Sequence, residues 1–141
     1  MKYVLDSSIA FKCAVIEADT PKARALRDAY GRAVHELISP DIFPVEVGHA
    51  LTRAERQGRV TLSQAASLWR AVMQTAPLLK SYLLVMPRAI DISSQMRHSV
   101  YDCLYVALAE RENCELVTAD HKLIKNLTPQ FPFVVALSSL P

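Results

Sequence analysis

Four carboxylates sit where a chain can use them for chemistry. Asp6 closes the short apolar run "KYVL". Glu46 lies inside "FPVEVGHAL". Asp102 opens "YDCLYVALAE", and Asp120 follows "ELVTA". Each has an ordinary structural use. Asp6 and Asp120 can start or cap a helix, and Glu46 can favour its own helix dipole. Ser99 and Asp102 fit the S-x-x-D form of a capping box. Gathered at one place they demand more. Two unit charges about 4 Å apart repel by roughly 4 kcal/mol at an effective dielectric near 20. A fold stable by only about 5–15 kcal/mol needs compensation for that: protonation, a basic partner or a divalent cation. Carboxylate and water ligands suit Mg²⁺ or Mn²⁺. Such an ion lowers the pKa of a bound water and stabilises charge developing on a phosphodiester.

The elements between the acids decide whether they meet. Strands are expected at 2–5, 35–39, 81–86, 114–118 and 131–137. Between them run helical stretches. "SSIAFKCAV" has Ser7 or Ser8 as its cap, and a second helix has Thr20 as N-cap with Pro21 in first position. A third starts between Asp41 and Pro44 and stops at Gly58. A fourth spans 61–76, capped by Thr61 or Ser63 and halted by Pro77. "PRAIDISSQMR" starts a helix at Pro87, "SVYDCLYVALAEREN" gives a helix apolar on nearly every side with Asn113 as its end, and "HKLIKNL" is short. Apolar strands alternating with helices predict a parallel sheet with helices on both faces. Right-handed crossovers place every strand's C-terminal end on one edge, where ligands bind. Asp6, Glu46, Asp102 and Asp120 all fall on that edge.

The bulk properties agree with one α/β domain over residues 1–141. The chain is 51% hydrophobic and 21% charged, with only 3 glycines, no repeat and no low-complexity tract. No apolar run reaches the eighteen or so residues of a membrane span. Asp6 and Lys12 interrupt the one stretch resembling a signal peptide, so a cytoplasmic protein is expected. The 3 cysteines, Cys13, Cys103 and Cys114, form no metal or disulfide pattern. A net charge of +2 is too mild by itself to indicate nucleic acid. Setting the four acids aside leaves sixteen basic residues against ten acidic ones, a surface that tolerates phosphates. Lys12, Arg53, Arg56, Arg97, His98 and Lys122 are the candidate phosphate contacts. Trp69 and Tyr82 are expected in the core or an interface.

"YVLDSS", "PVEVGHAL", "SVYDCLYVALAERENCELVTAD" and "KLIKNL" together resemble PIN-domain proteins, most closely the VapC toxins of toxin–antitoxin pairs. The likeness runs from about residue 2 to about residue 135. It implies a three-layer α/β/α domain with a five-stranded parallel sheet and metal-dependent endoribonuclease activity. Asp6, Glu46, Asp102 and Asp120 match the family's acidic quartet. Thr118 matches a hydroxyl residue supporting the last acid, and Ser8 a small polar residue beside the first. His49 stands where members often carry Asn, which introduces a group able to charge near neutral pH. The resemblance further implies Mg²⁺ or Mn²⁺ as cofactor, an RNA substrate such as transfer RNA, a VapB-type antitoxin and a homodimer.

Three rivals use the same placement. A replication- or repair-type DNA nuclease of the wider fold carries additional acids and a DNA-gripping extension, and this chain shows neither. A phosphoreceiver domain needs a paired acid at the first strand and a lysine after the last; here Asp6 is alone and no lysine follows "FPFVV". A non-catalytic module for RNA or protein needs no full set of acids.

Overall fold

The computed structural model describes residues 1–141. In chain order its elements are β1 (Lys2–Leu5), α1 (Ser7–Ala14), α2 (Thr20–Gly31), β2 (Glu36–Pro40), α3 (Phe43–Arg56), α4 (Gln64–Met73), β3 (Leu78–Lys80), α5 (Met86–Met96), α6 (Val100–Glu112), β4 (Glu115–Thr118), α7 (His121–Leu127) and β5 (Val134–Ala136). Short 3₁₀ turns cover Tyr82–Leu84 and Leu137–Ser139. The five strands pair in parallel in the order β3-β2-β1-β4-β5. Tyr3, for example, sits between Leu37 and Glu115.

Connections toward β3 carry α1 to α4, and those toward β5 carry α5 to α7. Right-handed crossovers put the two sets on opposite faces, giving three layers. The expected α/β/α arrangement with a five-stranded parallel sheet is what the chain adopts. Strand order reverses between β1 and β4: the chain leaves β1 toward β2 and β3, then returns past it. In open α/β sheets that reversal opens the ligand crevice.

The core is one cluster of 32 buried residues. Helix α6 lies at its centre, packing on β1, β2 and β4 as well as α5. Its run Cys103–Ala109 is buried without a break, which is why the sequence there lacks a polar face. Trp69 packs beside Gly48 and donates its ring N–H to the Pro44 carbonyl at 2.8 Å, fastening α4 to α3. Tyr82 also packs on the core, as expected. All three cysteines are free, and no helix is long and apolar enough to cross a membrane.

Several boundaries differ from expectation. The third strand is Leu78–Lys80, not 81–86. "LLKSYLLVM" holds two apolar pairs, and the sheet takes the first by pairing Ile38 with Leu78. The second pair turns away as a 3₁₀ segment, with Asp41 Oδ1 accepting from the Tyr82 amide at 2.9 Å, and Leu83 and Leu84 stay exposed. Thr20 is not an N-cap. Asp19, with φ of 64°, holds that place, while the buried Thr20 hydroxyl donates to the Lys12 carbonyl and accepts from the Glu17 amide. Helix α4 is shorter than 61–76, because Ser63 is left-handed at its start and Gln64 folds back onto Thr61. Neither Ser7 nor Ser8 caps α1; Asp6 occupies the cap position and its side chain is used elsewhere.

Candidate functional site

Asp6 follows β1 with no spacer, so its carboxylate sits at the β1/β4 reversal. It is buried. Two hydroxyls donate to the same oxygen, Oδ2: Ser8 Oγ at 2.6 Å and Thr118 Oγ1 at 2.8 Å. Those hydroxyls are themselves fixed. Ser8 Oγ accepts from the Ala119 amide at 3.0 Å, and Thr118 Oγ1 from the Asp120 amide at 3.1 Å. Burial pushes Asp6 up to about 6, and the charges of Asp102 and Asp120 add to this against the two hydroxyls. Thr118 is buried; its hydroxyl donates to the first acid, Asp6, and meets the last, Asp120, only by accepting from its amide.

Glu46 occupies the first turn of α3, where the dipole favours a negative charge. Burial nonetheless carries it up to about 7, with Asp6 and Asp102 raising it further. The Tyr105 hydroxyl faces Glu46 closely enough to oppose that rise. Even so, neither Glu46 Oε1 nor Tyr105 Oη closes a hydrogen bond, and both atoms are buried. A buried carboxylate oxygen without a donor is costly, and its presence calls for an explanation.

Asp102 lies in the first turn of α6. Ser99 does cap that helix, accepting from the Tyr101 amide at 3.3 Å. Asp102, however, does not complete a capping box. Its Oδ2 faces His98 Nε2 at 2.6 Å. Asn126 Nδ2 donates to the other ring nitrogen, Nδ1, at 3.2 Å, so Nε2 carries the proton and donates to Asp102. Burial raises the Asp102 pKa, against the His98 hydrogen bond. Asp120 is the N-cap of α7, its Oδ1 accepting from the amides of Lys122 at 3.0 Å and Leu123 at 3.3 Å.

All four acids line one cavity of about 810 Å³, together with Ser7, Ser8, Phe11, Val45, His49, Ala50, Arg53, Ser99 and Tyr101. Of the candidate phosphate contacts, Arg53 lines it and the charge of Lys122 acts on Asp102. Two others are corrected. His98 is 7% exposed and committed to Asp102 and Asn126. Lys12 donates to the Ala18 carbonyl at 2.8 Å and pairs with Glu17. Arg56 and Arg97 are not part of the cavity lining. Residues not singled out from sequence are Tyr105, Tyr101 and the bond of His98 to Asp102. Spacing offers one signal: Tyr105 lies three after Asp102, on the same side of α6.

A hard cation fits this arrangement. The donors are all oxygens, Glu46 offers an unpartnered buried one, and each of Asp6, Glu46 and Asp102 is raised by another of the acids. No three His, Cys, Asp or Glu side chains are placed close enough together to hold a metal ion by themselves. Mg²⁺ keeps several waters and takes one or two carboxylates, so it needs no such trio.

Residues 3–127 match the PIN domain family. A curated relative, "Ribonuclease VapC1" of Mycobacterium tuberculosis, is 34% identical over 125 residues, covering 84% of this chain and 90% of its own. The solved structure of PAE2754 from Pyrobaculum aerophilum superposes with a TM-score of 0.70 at 20% identity, over 99% of this chain and 94% of the other. VapBC2 from Rickettsia felis, solved bound to a DNA fragment from its promoter, superposes with a TM-score of 0.63 at 15% identity, over 96% and 97%.

Proposed function

The chain belongs to the PIN-domain family, and from that premise we propose that it is a ribonuclease toxin of the VapC kind, hydrolysing RNA phosphodiester bonds with Mg²⁺ or Mn²⁺. The observation that carries this is the meeting of Asp6, Glu46, Asp102 and Asp120 in one cavity at the strand-order reversal. A bound ion there would supply a water of lowered pKa and a positive charge for the phosphoryl oxygens.

The chain's own residues do the rest. Asp6 and Asp102 each have Oδ2 engaged by the protein, and Oδ1 of each would be available to hold the ion or one of its waters. Glu46 Oε1 supplies a further acceptor for a metal or its water. Asp120 has Oδ1 committed to α7 and contributes charge and its other oxygen. Ser8 and Thr118 position Asp6. Arg53 offers a cation to the substrate phosphates from the wall of the cavity. His49, exposed on the same helix, is a hydrogen-bond donor to the substrate.

We further propose that residues 1–141 act as one unit in the cytoplasm, as a homodimer, on RNA such as transfer RNA, and under control of a VapB-type antitoxin. A second cavity supports the last point. It is apolar, about 260 Å³, and walled by α1, α2 and α4 with Arg24 and Arg27 in its lining. Those walls suit the apolar face of an amphipathic partner helix.

The test is cleavage of labelled RNA by purified protein in Mg²⁺, Mn²⁺ or chelator, beside Asp6→Asn. Metal-dependent cleavage reduced at least about a hundredfold in the variant supports the proposal. RNA binding without cleavage by the wild type would favour the non-catalytic module instead.

A further inference from the structure

The chain has four Phe, five Tyr and one Trp, and Tyr101 is the only one of them exposed. It is 59% exposed, and it stands on the rim of the acidic cavity directly before Asp102. On the facing element, Val45 is 74% exposed, lines the same cavity and directly precedes Glu46. Each of these apolar side chains therefore adjoins a site carboxylate in the first turn of its helix. Neither contributes to the core, so folding does not account for them.

The cavity sets a problem that such side chains solve. Four carboxylates repel an RNA backbone, and Arg53 is the one cationic side chain in the lining. A substrate held there needs an anchor indifferent to charge. An aromatic face meets that need, because stacking accepts any unpaired base.

Resting on the ribonuclease proposal, we propose that Tyr101 is the platform on which an unpaired nucleobase next to the cleaved phosphodiester stacks, with Val45 as its apolar contact on α3. The ring face does the binding and the hydroxyl is dispensable. A nucleotide locked in a duplex cannot present its base there, so cleavage falls at positions free to unstack.

The test pairs a protein variant with a substrate variant. Steady-state cleavage of a short single-stranded RNA in Mg²⁺ is measured for wild type, Tyr101→Phe and Tyr101→Ala. Each is also given RNA with an abasic nucleotide at successive positions around the cleaved bond. Tyr101→Phe is expected within about twofold of wild type. Tyr101→Ala is expected to raise KM on the order of tenfold, with kcat nearly unchanged. One abasic position is expected to cost wild type a similar factor and to cost Tyr101→Ala almost nothing more. The residue is exposed, so an unchanged melting temperature separates this from misfolding. Cleavage by Tyr101→Ala equal to wild type overturns the platform and leaves the nuclease standing. So do abasic and alanine losses that multiply, or a loss confined to antitoxin binding. No cleavage of any RNA by wild type overturns both.

Discussion

Helix α1 divides two cavities. Ser7, Ser8 and Phe11 face the acidic one, while Ile9, Ala10, Cys13 and Ala14 line the apolar one. On the apolar side the polar groups are settled: Arg24 donates to the Cys13 carbonyl, and Thr20 joins the end of α1 to the next loop. On the acidic side Glu46 Oε1 closes no hydrogen bond although the Tyr105 hydroxyl faces Glu46, and burial lifts the pKa values of Asp6 and Glu46 to about 6 and about 7. One face of a single helix thus leaves its polar groups satisfied beside an apolar cavity, and the other carries raised carboxyl pKa values and an unclosed buried oxygen. Stability comes from the first face and its continuation into the 32-residue core. Violations confined to one spot, and tolerated there, mark where function has been preferred to stability.

Ile9→Ala gives the largest expected effect on the stabilising side. Ile9 is fully buried, and its truncation is expected to cost about 2–5 kcal/mol in urea unfolding, with kcat per folded molecule kept. Equal losses of kcat and stability would show that the two faces of α1 are not separable.

The pH dependence of the metal-free chain tests the other face. Asp6 and Glu46 have folded pKa values above their unfolded ones, so the folded chain holds more protons between about pH 4 and 7. Stability from these groups is therefore greatest in acid and falls as pH rises toward 7. The loss is on the order of a few kcal/mol. Urea midpoints without metal are expected to be lower at pH 8 than at pH 5, and Glu46→Gln is expected to remove part of that fall. Mg²⁺ is expected to restore stability at pH 8. A profile that rises with pH would contradict the comparison.

A smaller effect concerns His98. Ala at this position frees Asp102 and leaves Asn126 without its acceptor. Mn²⁺ affinity of His98→Ala is expected to weaken roughly tenfold. His98→Gln, which keeps a donor, is expected to recover much of it. No recovery by Gln would reduce His98 to core packing.

The acidic site was legible because topology alone places it. An acid directly after an apolar strand or in the first turn of the next helix falls on one edge of any right-handed parallel sheet. The rule places Asp6, Glu46, Asp102 and Asp120 on that edge, but it also admits Asp41 after β2, which turns instead to the Tyr82 amide. What escaped depends on contacts between distant residues. "RHSVYD" does not reveal that His98 turns inward to Asp102, nor that Asn126 of α7 completes the pair. Lys12 looked free until the loop holding Ala18 and Glu17 folded over it. The β3 strand was misplaced because an edge strand carries little burial signal; Leu78 and Leu79 are exposed although they are the paired residues. Thr20 gives up the cap position to a left-handed Asp19, and Ser63 holds the N-cap of α4 in a left-handed turn without a side-chain bond, which residue type alone does not announce.

In the proposed mechanism the acids share one cation. Anomalous diffraction from crystals grown in Mn²⁺ locates that ion directly. The expected result is a peak inside the acidic cavity, within ligand distance of Asp6 or Asp102 directly or through water, and absent in Asp6→Asn. A cavity without manganese in saturating Mn²⁺, or an ion bound only elsewhere, would contradict it.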